Sequence, residues 1–154
     1  MQPNRIRLPL NPSMGLVATT PTYSQSTASD SGPYGGDIDM KELVAGSSLY
    51  LPVFVPGALL HLGDVHAGQG DGELCTSALE MAATVTIRVD LLKGQLIPRP
   101  RIRSPQEMMT VATGTPMERS VARAYSDLIL WMEEEYGVAR WDGGSLCTQV
   151  GGIS

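Results

Sequence analysis

The sequence predicts a β-rich α+β fold: a twisted, mainly antiparallel sheet or sandwich with one C-terminal helix packed on it. Three observations carry this. There are 17 glycines and 11 prolines in 154 residues, about 18% against ~12% in average usage, so the chain needs many turns. Two segments, Ser48 to Val55 and Thr84 to Leu91, alternate apolar and polar residues with the period of a strand. Only one segment, near 116–136, carries the start, stop and spacing of a helix.

The elements follow in order. Residues 1–36 are punctuated by Pro3, Pro9, Pro12, Pro21 and Pro33 and read as a loop-rich lead-in with a short strand at Leu16 to Ala18. Thr19 to Tyr34 is Thr, Ser, Gly and Pro chemistry, which suits a long functional loop or a linker. In Ser48 to Val55, Leu49, Leu51, Val53 and Val55 share one face. Pro52 cannot donate to a ladder, so this strand is an edge or contains a bulge. Pro56-Gly57 ends it, and Ala58 to Leu62 is a second apolar run. Residues 63–73 (GDVHAGQGDGE) form a polar, turn-rich loop. In Thr84 to Leu91, Val85, Ile87, Val89 and Leu91 alternate with Thr84, Thr86, Arg88 and Asp90, the clearest strand pattern in the chain. Residues 93–105 are basic and Pro-interrupted. There Arg99, Arg101 and Arg103 form either an anion-binding strip or a solvated edge. Thr115-Pro116-Met117-Glu118 predicts a capping box with Pro at the first helical position. Met117, Val121, Ala124, Leu128, Trp131 and Met132 then mark one helical face, and Gly137 fits the C-cap. Trp141 to Ser154 reads as a short Gly-rich tail.

Charge and composition exclude several classes. Eleven basic against 16 acidic residues give a net charge of −5, which argues against nucleic-acid binding. No apolar run approaches a membrane span, and Met1 to Leu10 shows no apolar signal-peptide core. Cys75 and Cys147, the two cysteines, make neither a disulfide framework nor a CxxC zinc site. The expected compartment is the reducing cytoplasm.

The chemistry-bearing residues cluster. His66 stands among Asp64, Gln69, Asp71 and Glu73, interleaved with Gly68, Gly70 and Gly72. Imidazole with carboxylates suits zinc or a harder divalent ion, and equally general acid–base work. The plain alternative is an acidic surface turn with Asp71-Gly72 at its tip. Gly35-Gly36-Asp37-Ile38-Asp39 is a second such element, with an ordinary turn as its alternative.

A resemblance alters this balance. GGDIDMKELVAGSSLYLPVFVPGALLHLGDVHAGQGDGELCTSALE (Gly35 to Glu80) resembles the acetamidase/formamidase family. That family shows a GGN-x-D segment, a LYLPVFV-PGAL strand and GD-x-HA-x-QGDGE. NPSMGLVATTP and TVTIRV are similar to it more weakly. The resemblance implies an amidohydrolase that converts small linear amides, such as formamide or acetamide, to carboxylate and ammonia. It implies a homo-oligomer with a divalent metal, zinc foremost. His66 and Asp64 are the implied metal ligands, and Glu73 or Asp71 the implied general base. Gln69, Asp39 and Gly36 are implied at the substrate, with Glu80 as a further candidate. Asp37 replaces the family's Asn, which predicts a lost hydrogen-bond donor. Family members are longer, so the resemblance covers their C-terminal half and implies a truncated chain. The expected organisation is one partial domain, 1–154. It has a lead-in at 1–36, a β core at 37–92 carrying the active-site loop 63–73, and a Pro-rich connection and helix at 93–154. The competing expectation is a non-catalytic remnant that needs an N-terminal half and acts as an assembly or metal-binding β module.

Overall fold

A computed structural model describes residues 6–23 and 27–154. Pro3 and part of the long Thr19–Tyr34 loop lie outside the described residues. The strands are β1 (Ser13–Ala18), β2 (Ser31–Gly32), β3 (Gly35–Asp37), β4 (Ser48–Tyr50), β5 (His61–His66), β6 (Arg101–Arg103) and β7 (Met108–Thr110). Two helices follow, α1 (Met117–Tyr136) and α2 (Arg140–Val150). The fold is α+β, with every strand pair antiparallel. One sheet runs β2-β3-β1-β5 and the other β4-β6-β7. Val17 from the first, Ile102 from the second, and Leu43 and Val111 from connections form the core. Met14, Ile38, Leu49, Leu51 and Met109 pack around it. No described helix is long and apolar enough to cross a membrane.

Several expectations change. The predicted strand at Ser48 to Val55 stops at Tyr50, because Pro52 has no N–H to extend the ladder. The Pro52 carbonyl instead accepts the Thr19 hydroxyl at 2.7 Å. The 63–73 segment does not start as a loop, since β5 runs through Gly63 to His66 alongside β1. Thr84 to Leu91 forms no ladder with any described residue. Its Val85, Ile87, Val89 and Leu91 are exposed. Alternation encodes a strand with one face covered, and no described strand edge lies against this one.

Helix α1 forms where predicted, but without the capping box. Pro116 itself occupies the N-cap and no side chain caps it. Gly137 closes the helix at φ 66°, its N–H donating to the Glu133 carbonyl. The residues α1 buries are Ser120, Asp127 and Trp131, while Met117 is exposed. Polar groups go inside because β6 presents arginines. Arg101 donates to Asp127 through Nη2 at 2.7 Å and Nε at 3.2 Å, with both residues buried. Trp131 lies edge-on to Tyr50, with the Arg101 and Arg103 guanidiniums over its ring at 5.2 and 5.0 Å. The Gly-rich tail proves to be α2. Gly143 costs helix propensity, yet a Cβ there would meet Ile129 and Met132 at 3.3–3.4 Å, so its lack of a side chain lets α2 close on α1.

Candidate functional site

The site is built on β1 and β5. Ser13 pairs with His66, Met14 with Val65 and Leu16 with Gly63, which sets Gly15 opposite Asp64. The Gly15 carbonyl accepts the N–H groups of Ile38 and Asp39 at 3.1 and 3.2 Å, fixing Asp39 beside Asp64. The Ala67 N–H donates to the Leu79 carbonyl at 2.6 Å, and that of Met81 to the Val65 carbonyl at 3.0 Å. These bonds bring Glu80 opposite His66.

His66 is 1% exposed and its tautomer is determined by its neighbours. The Gln69 amide N–H₂ donates to the Asp39 carbonyl, which can only accept. Gln69 Oε1 therefore faces His66 Nδ1, at 2.8 Å, and Nδ1 carries the proton. Nε2 is left pointing at carboxylates: Asp64 Oδ2 at 3.1 Å, Glu80 Oε1 at 3.7 Å and Asp39 Oδ1 at 4.0 Å. Burial pulls the imidazole toward neutrality. The Gln69 bond and the charges of Asp64 and Glu80 outweigh it and raise its pKa.

Two overlapping ligand groups result. Asp39, Asp64 and His66 bring their ligand atoms within 4.8 Å of one another, and so do His66, Glu73 and Glu80. Glu73 Oε2 is buried with no hydrogen-bond partner among the described residues. Asp39 (φ 44°) and Asp64 (φ 55°) both hold left-handed backbone, an uncommon conformation that aspartate tolerates better than most residues. Burial and the neighbouring carboxylates raise the pKa of Asp37 and Asp39. The Asp64 carboxylate beside Asp37 adds to that rise.

The expected site residues divide accordingly. His66, Asp64, Asp39, Glu73 and Glu80 converge, and Gln69 is occupied in orienting His66 and holding Asp39. Asp71 does not join them: its exposed carboxylate is paired with the Lys41 ammonium. Gly36 serves the backbone, since at φ 106° a Cβ would lie 2.1 Å from the Asp30 carbonyl oxygen. Sequence reasoning missed Gly15. A Cβ there would sit 2.3 Å from Asp64 Oδ2, 2.7 Å from Asp39 Oδ1 and 2.8 Å from His66 Cε1. The available signal was a glycine inside a strand, which marks close approach. A groove of about 1680 Å³ opens over the cluster, lined among others by Asp37, Asp64, Gln69, Glu73 and Glu80.

Nitrogen and oxygen atoms thus meet over a missing side chain at the mouth of a groove on a two-sheet scaffold, a donor set that could hold a cation. The chain belongs to the Acetamidase/Formamidase family, whose model matches residues 5–132. It is 44% identical over 80 residues to a putative formamidase of Schizosaccharomyces pombe, covering 51% of this chain and 20% of that one. It is 48% identical over 61 residues to an acetamidase of Mycolicibacterium smegmatis, covering 39% and 15% respectively. The crystal structure of an acetamidase from Yersinia enterocolitica superposes with a TM-score of 0.91 at 36% identity. That match covers 95% of this chain and 44% of the other. The chain thus spans less than half the length of these relatives.

Proposed function

We propose that this chain carries the centre of an amidohydrolase site for small linear amides, releasing carboxylate and ammonia. The single observation behind it is the convergence of His66, Asp39 and Asp64 over the bare Cα of Gly15. This donor set fits a divalent ion, zinc foremost, because Gly15 leaves the space that a Cβ would fill and Glu73, grouped with His66 and Glu80, has an oxygen without a partner among the described residues. Asp39, Asp64 and His66 Nε2 would hold the ion, with Glu80 beside them. When bound, such an ion lowers the pKa of water and polarises a carbonyl.

The remaining work belongs to side chains. Glu73 accepts the proton of the attacking water on Oε2 and delivers it to the leaving nitrogen. Gln69 keeps Nδ1 protonated, so that Nε2 presents its lone pair to the ion. Cytoplasmic location and a homo-oligomeric state belong to the same reading.

A second reading has one observation in its favour. The apolar face at 84–91 stands without a ladder partner among the described residues, as in a module that another chain completes. It predicts zinc retention without turnover. The deciding experiment measures ammonia released from formamide and acetamide by the purified chain, with and without zinc, alongside equilibrium dialysis of the metal. Zinc-dependent release that Glu73→Gln abolishes, with the fold intact, supports the amidase. Retention without release supports the module, and absence of both removes the metal reading.

A further inference from the structure

The sequence leaves Arg99, Arg101 and Arg103 as either an anion strip or a solvated edge, and the structure divides the three. Arg101 is taken by Asp127 and by Glu134 Oε2 at 3.2 Å, and Arg103 by Glu135. Arg99 is left over. Its Nε is buried without a hydrogen-bond partner among the described residues. The nearest carboxylate oxygen, Asp127 Oδ2, is 4.0 Å away and already accepts from Arg101.

Two more arginines join Arg99 from α1. Arg119 and Arg123 lie one turn apart on one face, and neither is in an ion pair among the described residues. With Arg99 and Ser126 they line a hollow of about 260 Å³ that shares no residue with the amide groove. Asp127 also borders it, but the Arg101 guanidinium neutralises that charge. Three arginine side chains border one hollow, and among the described residues two of them have no carboxylate partner. They do so in a chain whose net charge is −5, so this is a local concentration of positive charge rather than a basic protein surface.

The geometry points to a binding site for a small oxyanion of the phosphate or carboxylate class, held by Arg99, Arg119 and Arg123; the Ser126 hydroxyl is spent on the Ala122 carbonyl at 2.7 Å and takes no part. Guanidinium forks match two oxygens of such a group at once. The volume admits a phosphate with a few waters, at roughly 30 Å³ per water. The site is independent of the amide reading, because no residue is common to both.

The test is isothermal titration of the full chain at low ionic strength with inorganic phosphate and, in a separate arm, acetate. Saturable binding of either at one site is expected, the preferred anion naming the class. Arg119→Gln and Arg123→Gln should each weaken it about tenfold, the loss of one charge-assisted bond. Both arginines are exposed, so the fold survives their replacement. Protection of the wild-type arginines from phenylglyoxal by the bound anion is a readout that needs no variant. No saturable binding of either anion, or equal binding by the double variant, overturns the proposal.

Discussion

Replacing Gly15 with Ala tests the site at its floor. The new methyl would lie 2.3 Å from Asp64 Oδ2, 2.7 Å from Asp39 Oδ1 and 2.8 Å from His66 Cε1. Carbon and oxygen do not approach so closely, so to reach ordinary contact near 3.5 Å the carboxylate ends must retreat by about 0.8 Å at Asp39 and about 1.2 Å at Asp64. Asp64 and Asp39 are side-chain ends that can rotate outward, whereas His66 is buried and held by Gln69 and must shift its ring. The fold therefore loses about 1–3 kcal/mol, as for overpacking of a filled site. Metal binding changes too. Loss of orientation at ligands typically costs 10–100-fold in affinity, and here two ligands are displaced together, so the expected loss is at the upper end, about 100-fold. Gly63 is the control. It lies on β5 with nothing within 4 Å of its Cβ position, so Gly63→Ala should bind zinc as the wild type does. Competition against a fluorescent zinc chelator reads the affinities, and thermal melting reads the fold. Unchanged zinc affinity in Gly15→Ala would refute the placement of the ion.

Two further outcomes are expected. Asp127→Ala strands the buried Arg101 guanidinium, with only Glu134 left to it. Breaking such a pair costs about 3–5 kcal/mol, which lowers the melting temperature by roughly 10 °C for a chain of this size. Joint replacement by Arg101→Met and Asp127→Leu should recover most of it, and failure of the single variant to lose stability would contradict the buried pair. The metal-free chain should also be destabilised by rising pH. Asp37, Asp39 and His66 have raised pKa values. Their contribution is full below the unfolded values and is lost as pH rises through the folded ones. The decline begins near pH 4 for the carboxyls and near pH 6.5 for His66. Melting curves without metal should show this fall, zinc should oppose it above about pH 6.5, where the ion replaces the proton, and a steady climb across the window would count against the cluster's electrostatics.

What the sequence revealed depended on how local the information was. Met117 to Tyr136 reads as a helix because its spacing and the closing Gly137 are contained within one stretch. Helix α2 is hidden because Gly143 and Gly144 count against it locally, whereas its stability comes from packing on Ile129 and Met132. The period of 84–91 is a true strand pattern, but a pattern cannot supply the partner. In the site, His66 and Asp64 are legible because the polar segment concentrates them. Asp39 enters through the hydrogen bonds of the Gly15 carbonyl, a contact across the sheet. Asp71 shares the segment and the charge and lines the groove, yet its carboxylate pairs with Lys41 rather than joining the ligand groups. Gly15 carries no functional group, so only the packing around its Cα reveals its part.

The ligand atoms come from positions as far apart as Asp39 and Glu80, over a floor supplied by Gly15. Asp39 reaches Asp64 and His66 only through the folded sheet, so the proposed ion would bind the folded chain more tightly than the unfolded one. Ion occupancy then reports on folding itself. At a free concentration a hundred times the dissociation constant, a ligand confined to the folded state adds about 2.7 kcal/mol to its stability. Scarcity of the metal would enlarge the unfolded population that proteases remove. If the proposed ion binds here, cellular abundance of this chain would follow metal supply, whether or not an amide is ever turned over.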